Sequence, residues 1–177
     1  VAEQAKLPAN AGLDNWQVAG REAKRDLDIW TDVFAGQTDR LVRVAAGWAA
    51  VDWVTNRVVE SMAGSFDAIA IAPYITITDE QRATYTSATT VDKVLADARG
   101  DIATSLQWVT NHAQLARDWQ ARLGRPIQLV AYEGGAHLDG RGAAYQNAFY
   151  AAANDPRMGD IYRDYMRGLD AAGMSLY

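Results

Sequence analysis

Apolar residues at Trp16, Ala19, Ala23, Leu27, Trp30 and Phe34 recur in steps of three and four, the spacing of one face of an α-helix. Gly36 is a stop for that helix, and Leu41-Val42-Arg43-Val44-Ala45-Ala46-Gly47 then reads as a strand. Val51, Val54, Val58 and Met62 form a second helical stripe closed by Gly64. The run from Phe66 to Tyr74 is the next strand, with Pro73 ending its ladder. Thr76 to Thr90 is polar and without a clear period. Long connections beside strand ends are often functional. Val91 to Leu123 is helical in pattern, with Gly100 as a candidate break. A third apolar run, Ile127 to Ala131, stops on Tyr132-Glu133-Gly134-Gly135. Two helical segments follow, Ala143 to Ala153 and Met158 to Ala172, parted near Pro156. Met174-Ser175-Leu176-Tyr177 reads as the opening of another strand.

Strict alternation of helix and strand predicts βαβ units and a parallel sheet, hence an α/β fold. The strands are nearly unbroken apolar runs, which suits a sheet buried on both faces. No repeat, low-complexity tract or linker divides residues 1–177, so one domain is expected. The chain begins at Val1 without methionine and ends on an apolar run, and the expectation is a piece of a larger domain.

Composition narrows the partners. Hydrophobic residues make up 49% of the chain, which excludes a disordered segment. A net charge of −5 disfavours nucleic acid and anionic membranes, both of which call for a basic surface. No apolar run reaches the ~18 residues needed to span a bilayer. Cysteine is absent, so neither disulfides nor thiolate metal sites are expected, and the compartment stays open. Six tryptophans and eight tyrosines are many for this length, and such rings either fill cores or pave sugar-binding clefts.

Most familiar chemistries are missing. The glycines at 134, 135, 140 and 142 do not match a dinucleotide fingerprint, no Walker A lysine motif occurs, and no serine sits in a nucleophile elbow. No cofactor is expected. His137 follows Glu133 by four residues without a second histidine ligand, so no metal is expected, and His137 is a candidate substrate contact instead. His112 lies among polar neighbours and is expected on the solvated surface. Trp16, Trp30, Trp53, Trp108 and Trp119 fall on helices and are expected to pack there. Arg43, within a strand, either pairs with a carboxylate inside or sits at an open edge.

The strand ends remain. They present Trp48 after the first, Tyr74 after the second, and Tyr132 with Glu133 after the third. In α/β folds the carboxyl ends of the strands collect the chemistry. Taken singly, Glu133 is as well explained as a helix cap or an arginine partner, and Trp48 and Tyr74 as packing residues. Their coincidence on one rim suits a carbohydrate cleft, where a sugar face stacks on Trp48 and a Tyr hydroxyl orients a carboxylate.

The segments Arg40 to Val44, Phe66 to Tyr74 and Val130 to Leu138 resemble bacterial proteins related to the large clan of retaining glycosidases on (β/α)8 (TIM) barrels, some of them described as cellulose- or carbohydrate-binding. Ala-Pro-Tyr and Tyr-Glu-Gly-Gly are the specific parts. The resemblance implies a partial barrel, about strands 5 to 8 with their helices. It makes Glu133, at the end of strand 7, the catalytic nucleophile and Tyr74, at the end of strand 6, its hydrogen-bonding partner. Trp48, Tyr132 and His137 would bind substrate. The clan's acid/base lies in an Asn-Glu pair ending strand 4, and this chain has no Asn-Glu dipeptide. The acid/base and the N-terminal part of the barrel would therefore lie outside it, and the chain alone would be inactive. The implied partner is an oligo- or polysaccharide, and a polysaccharide substrate would favour secretion or the periplasm. Two other readings stay open: a carbohydrate-binding barrel without catalysis, and a structural α/β domain in which Glu133 has no chemical role.

Overall fold

The computed structural model describes residues 6–177. The order of elements alternates as the sequence predicts. Helix α1 (Asn15–Val33) leads to β1 (Val44–Ala46), α2 (Asp52–Ser61) to β2 (Ala68–Ile71), and the 33-residue α4 (Val91–Leu123) to β4 (Gln128–Ala131). Between β2 and α4 lie β3 (Tyr74–Ile75) and a short α3 (Asp79–Arg82), and β4 is followed by β5 (Gly135–Ala136), α5 (Gln146–Ala153) and α6 (Pro156–Ala172). The fold is mixed α/β with a small parallel sheet.

The main sheet has the order β1-β2-β4, every pair parallel. Leu176 adds a parallel bridge to Val130, with Ser175 N–H donating to Leu129 O and Ala131 N–H to Leu176 O. Four extended segments thus lie side by side in chain order. The register puts Ala45, Ile69 and Leu129 on one face, under the helices, where they join Phe66, Val109, Trp119 and Ile161 in the main core. The opposite face carries Val44, Ala46, Ala68, Ala70, Gln128 and Val130. Ala68, Ala70 and Val130 form a small cluster of their own there, while Val44 on the outer strand is 41% exposed.

Local chemistry explains the helix boundaries. Asp14 caps α1, accepting from Gln17 N–H at 2.8 Å, and the Gln17 side chain returns the bond to Asp14 N–H. Arg57 of α2 reaches the same carboxylate at 2.9 Å, which ties the two helices together. At Gly20 the helices touch so closely that a Cβ would fall 2.3 Å from Val58 O. Thr90 caps α4, which runs unbroken through Gly100, so the expected break is absent; an exposed glycine costs a helix only about 1 kcal/mol, and packing against α2, α5, α6 and the sheet offsets it. The polar stretch 76–90 contains α3, capped by a Thr78–Gln81 capping box too short for a period to show.

Arg43 is settled at the amino ends of the strands. Its guanidinium makes two bonds to Asp67, at 2.8 and 2.9 Å, and Arg125 adds a third at 2.9 Å. Arg43 holds the Asp67 carboxyl below the ordinary carboxylate range, chiefly through these hydrogen bonds. This cluster pins the end of the sheet remote from Glu133.

Candidate functional site

The second strand does not run unbroken to Tyr74. It stops at Ile71, and after Pro73 the chain re-enters as β3, which pairs in parallel with β5 through Tyr74↔Gly135 and Ile75↔Ala136. Proline has no N–H to continue the ladder, so the break falls where the sequence put it, and the pairing resumes one step further out. Tyr132 N–H donates to Ile71 O and His137 N–H to Ile75 O, which links the two short sheets. Ser105 of α4 donates to Tyr74 O and fixes the backbone there. Glu133 sits in the gap between β4 and β5, exposed at the carboxyl end of the sheet.

The two glycines after Glu133 have different reasons. Gly135 has φ +102°, a region that side chains disfavour. Gly134 is set by crowding: a Cβ would lie 2.6 Å from the Tyr177 hydroxyl. Tyr162 closes on the other side, its hydroxyl accepting from Ala136 N–H at 2.8 Å. Both rings hold the Glu133 loop by contact with its backbone.

Glu133 bears on Tyr74. Hydrogen bonding to the Glu133 carboxylate, with burial and the carboxylate's charge behind it, raises the Tyr74 hydroxyl above its ordinary pKa. The Tyr132 hydroxyl is also raised, by burial first and by Glu133 second. His137 is exposed and packs edge-on against the Tyr74 ring, centroids 5.2 Å apart. Tyr74 and His137 line a cleft of about 440 Å³ together with Asp139, Arg141 and Tyr150.

Trp48 and Tyr132 belong to a second cleft, of about 540 Å³, whose walls include Trp16, Ala19, Ala23, Val54 and Val58. Both rings are more than half exposed. The Trp16 and Trp48 rings lie 6.0 Å apart, and the Tyr132 hydroxyl reaches Gly47 O at 3.4 Å. Four of the five expected site residues therefore fall into two groups, Tyr74 with His137 and Trp48 with Tyr132. Glu133 joins them, through its neighbour Tyr132 on one side and its partner Tyr74 on the other.

Several expectations are corrected here. His112 is not on the surface; it is fully buried. Its Nδ1 lies 2.8 Å from Trp108 O, and a carbonyl can only accept, so Nδ1 carries the proton. Nε2 is then the acceptor for the Thr55 hydroxyl at 2.9 Å, and Thr55 Oγ1 in turn accepts from Trp48 N–H at 3.0 Å. Burial pushes the His112 pKa down, which keeps this neutral tautomer. The backbone of the Trp48 loop is thus held by a buried chain of hydrogen bonds. Gly47 makes room for it, since a Cβ would fall 2.5 Å from the Thr55 side chain. Trp16, Trp30 and Trp53 are also exposed rather than packed, while Trp119 is buried edge-on to Phe66. Trp16, Thr55, His112, Tyr162 and Tyr177 are the site-building residues that the sequence reading missed.

Among the described residues, no cluster of His, Asp and Glu is arranged to hold a metal ion, and no helix is long and apolar enough to cross a membrane. Compared with protein-family models, with curated proteins and with solved structures, the chain matches none.

Proposed function

We propose that this chain is part of a carbohydrate-active (β/α)8 barrel of the retaining-glycosidase type, with Glu133 as the nucleophile. The observation that carries the reading is the placement of Tyr74 and Glu133 at the carboxyl end of a parallel sheet, beside two clefts lined by exposed rings. Two further features agree with it. The extended segments lie side by side in chain order, all parallel, as successive barrel strands do. The face turned away from the helices carries small residues, Ala68, Ala70 and Val130, of the kind that fill a barrel interior.

In this reading the Glu133 carboxylate attacks the anomeric carbon, and the leaving oxygen departs with a proton from a second carboxyl group. Water, deprotonated by that second group, then releases the sugar with its configuration retained. Tyr74 aims the carboxylate, Trp48 and Tyr132 supply flat apolar surfaces for a sugar face, and His137 offers a ring nitrogen to a hydroxyl. Retention needs the second carboxyl about 5–5.5 Å from the first. The clan's Asn-Glu pair is absent from the sequence, so these residues alone are expected to bind sugar without turning it over.

The exposed Trp48 and Tyr132 rings equally suit a second reading, a barrel that binds glucan and does not cleave it. The test compares the chain with a longer form that supplies a full barrel, on aryl glycosides and β-glucan oligosaccharides. Hydrolysis with retention, abolished by Glu133→Gln, supports the glycosidase. Binding that survives Glu133→Gln but weakens in Trp48→Ala by about tenfold, the scale of one lost aromatic contact, supports the binding protein. No sugar interaction in any form would leave Glu133 a structural residue.

A further inference from the structure

The two clefts at the carboxyl end of the sheet differ in charge. The Trp48–Tyr132 cleft has no charged side chain in its walls. The cleft of about 440 Å³ on the Tyr74 side is lined by Arg141 and Asp139 together with His137 and the exposed Tyr150. Elsewhere on the surface Arg82, Arg99, Arg157 and Arg163 each pair with an aspartate. The Arg141 guanidinium has no such partner among the described residues.

The chain around Arg141 is held in place. Arg141 N–H donates to Asp139 Oδ1 at 3.1 Å, so this carboxylate is engaged within its own loop. Gly142 N–H donates to Gln146 Oε1 at 2.7 Å, and Ala143 N–H to Gly140 O at 2.9 Å. Gly140 packs so tightly on Phe149 that a Cβ would lie 3.2 Å from its ring. The base of the Arg141 side chain is therefore fixed before any ligand arrives, which lowers the ordering cost of binding.

We infer that the Tyr74–His137 cleft takes a sugar residue bearing a carboxylate, a hexuronate, and that Arg141 is the residue that selects it. A guanidinium binds a carboxylate through two parallel hydrogen bonds and neutralises its charge. A neutral hydroxyl also accepts from arginine, but it fits one nitrogen and leaves the cation uncompensated. The net charge of −5 disfavours a uniformly anionic polymer, so the fitting ligand carries an acidic residue among neutral ones. The uncharged Trp48 cleft suits the neutral residues and the Arg141 cleft the acidic one. The inference rests on the carbohydrate reading and names the substrate class for one of its two clefts.

The test titrates the whole chain with cellobiose and with cellobiouronic acid, which differ in one CH2OH group oxidised to carboxylate, reading NMR shifts at fixed low ionic strength. The acid is expected to bind roughly fivefold more tightly, the upper range for one solvent-exposed ion pair, with shifts at Arg141 and His137. Arg141→Gln should make the two sugars equal without weakening cellobiose, with circular dichroism unchanged, whereas Arg141→Lys should keep part of the preference. Equal affinity in the wild type, a preference that survives Arg141→Gln, or equally tight binding of cellobiose sulfated at the same carbon would overturn the inference. Cellobiose binding without a preference for the acid sinks the hexuronate alone and leaves the carbohydrate reading standing. Binding of neither sugar sinks both.

Discussion

Replacing Thr55 by valine tests the buried chain His112–Thr55–Trp48. Valine keeps the shape and removes the hydroxyl. Thr55 and His112 are both fully buried, so water does not take the place of the lost group. The substitution leaves His112 Nε2 without its donor and Trp48 N–H without its acceptor, and it puts a methyl where Oγ1 stood 2.9 and 3.0 Å from those atoms. Two polar groups left unpaired away from water cost about 1–3 kcal/mol each, so the loss should be roughly 2–6 kcal/mol. At about 2–4 °C per kcal/mol for a domain of this size, that corresponds to a fall of roughly 4–24 °C in Tm. Thr55→Ser is the control: it keeps the hydroxyl and loses one methyl, at a cost of about 1 kcal/mol. Urea denaturation of the three proteins, followed by circular dichroism, gives the ranking. A Thr55→Val protein within about 0.5 kcal/mol of wild type, or more stable than Thr55→Ser, would refute the hydrogen-bonded chain.

Other outcomes follow from the same geometry. His112 is held neutral, with its folded pKa below the ordinary 6.5, so the unfolded chain binds a proton that the folded one does not. Stability should therefore be full above about pH 6.5 and decline as pH falls below it, a component that His112→Gln removes from the urea midpoint profile. Gly20→Ala drives a methyl into Val58 O and should cost roughly 1–3 kcal/mol by separating α1 from α2, measured by thermal melting. Asp67→Asn strips the partner of Arg43 and Arg125; the groups are partly exposed, so a loss of roughly 1–2 kcal/mol is expected from denaturant titration at neutral pH. Glu133→Gln removes the charge that raises Tyr74, and the Tyr74 resonance in an NMR pH titration should move at lower pH than in wild type.

The parallel sheet was legible because its strands are apolar on both faces: Ile69, Ile71 and Leu129 face the helices while Ala68, Ala70 and Val130 face away. Glu133 was legible as the polar stop of such a run. His112 was readable in hindsight. Ser105, Val109, His112, Ala116 and Trp119 step by four and three along α4 and are all buried, so a polar residue on that stripe calls for a partner. That the partner is Thr55 of α2 is a long-range fact with no local sign. The exposure of Trp16 has a comparable origin. The α1 stripe is real, but Gly20 sets the line along which α1 meets α2, and hydropathy does not report a close backbone approach. Tyr162 and Tyr177 brace the Glu133 loop from more than 25 residues away in the chain, where only the fold can bring them together.

The most direct test of the account is an NMR titration of the chain with β-glucan oligosaccharides, reading backbone amides and tryptophan indoles. The account predicts saturable shifts confined to Trp48, Tyr74, Tyr132, Glu133 and His137 at the carboxyl end of the sheet, weakened in Trp48→Ala. Shifts clustered elsewhere, or no shifts with any oligosaccharide, would contradict it.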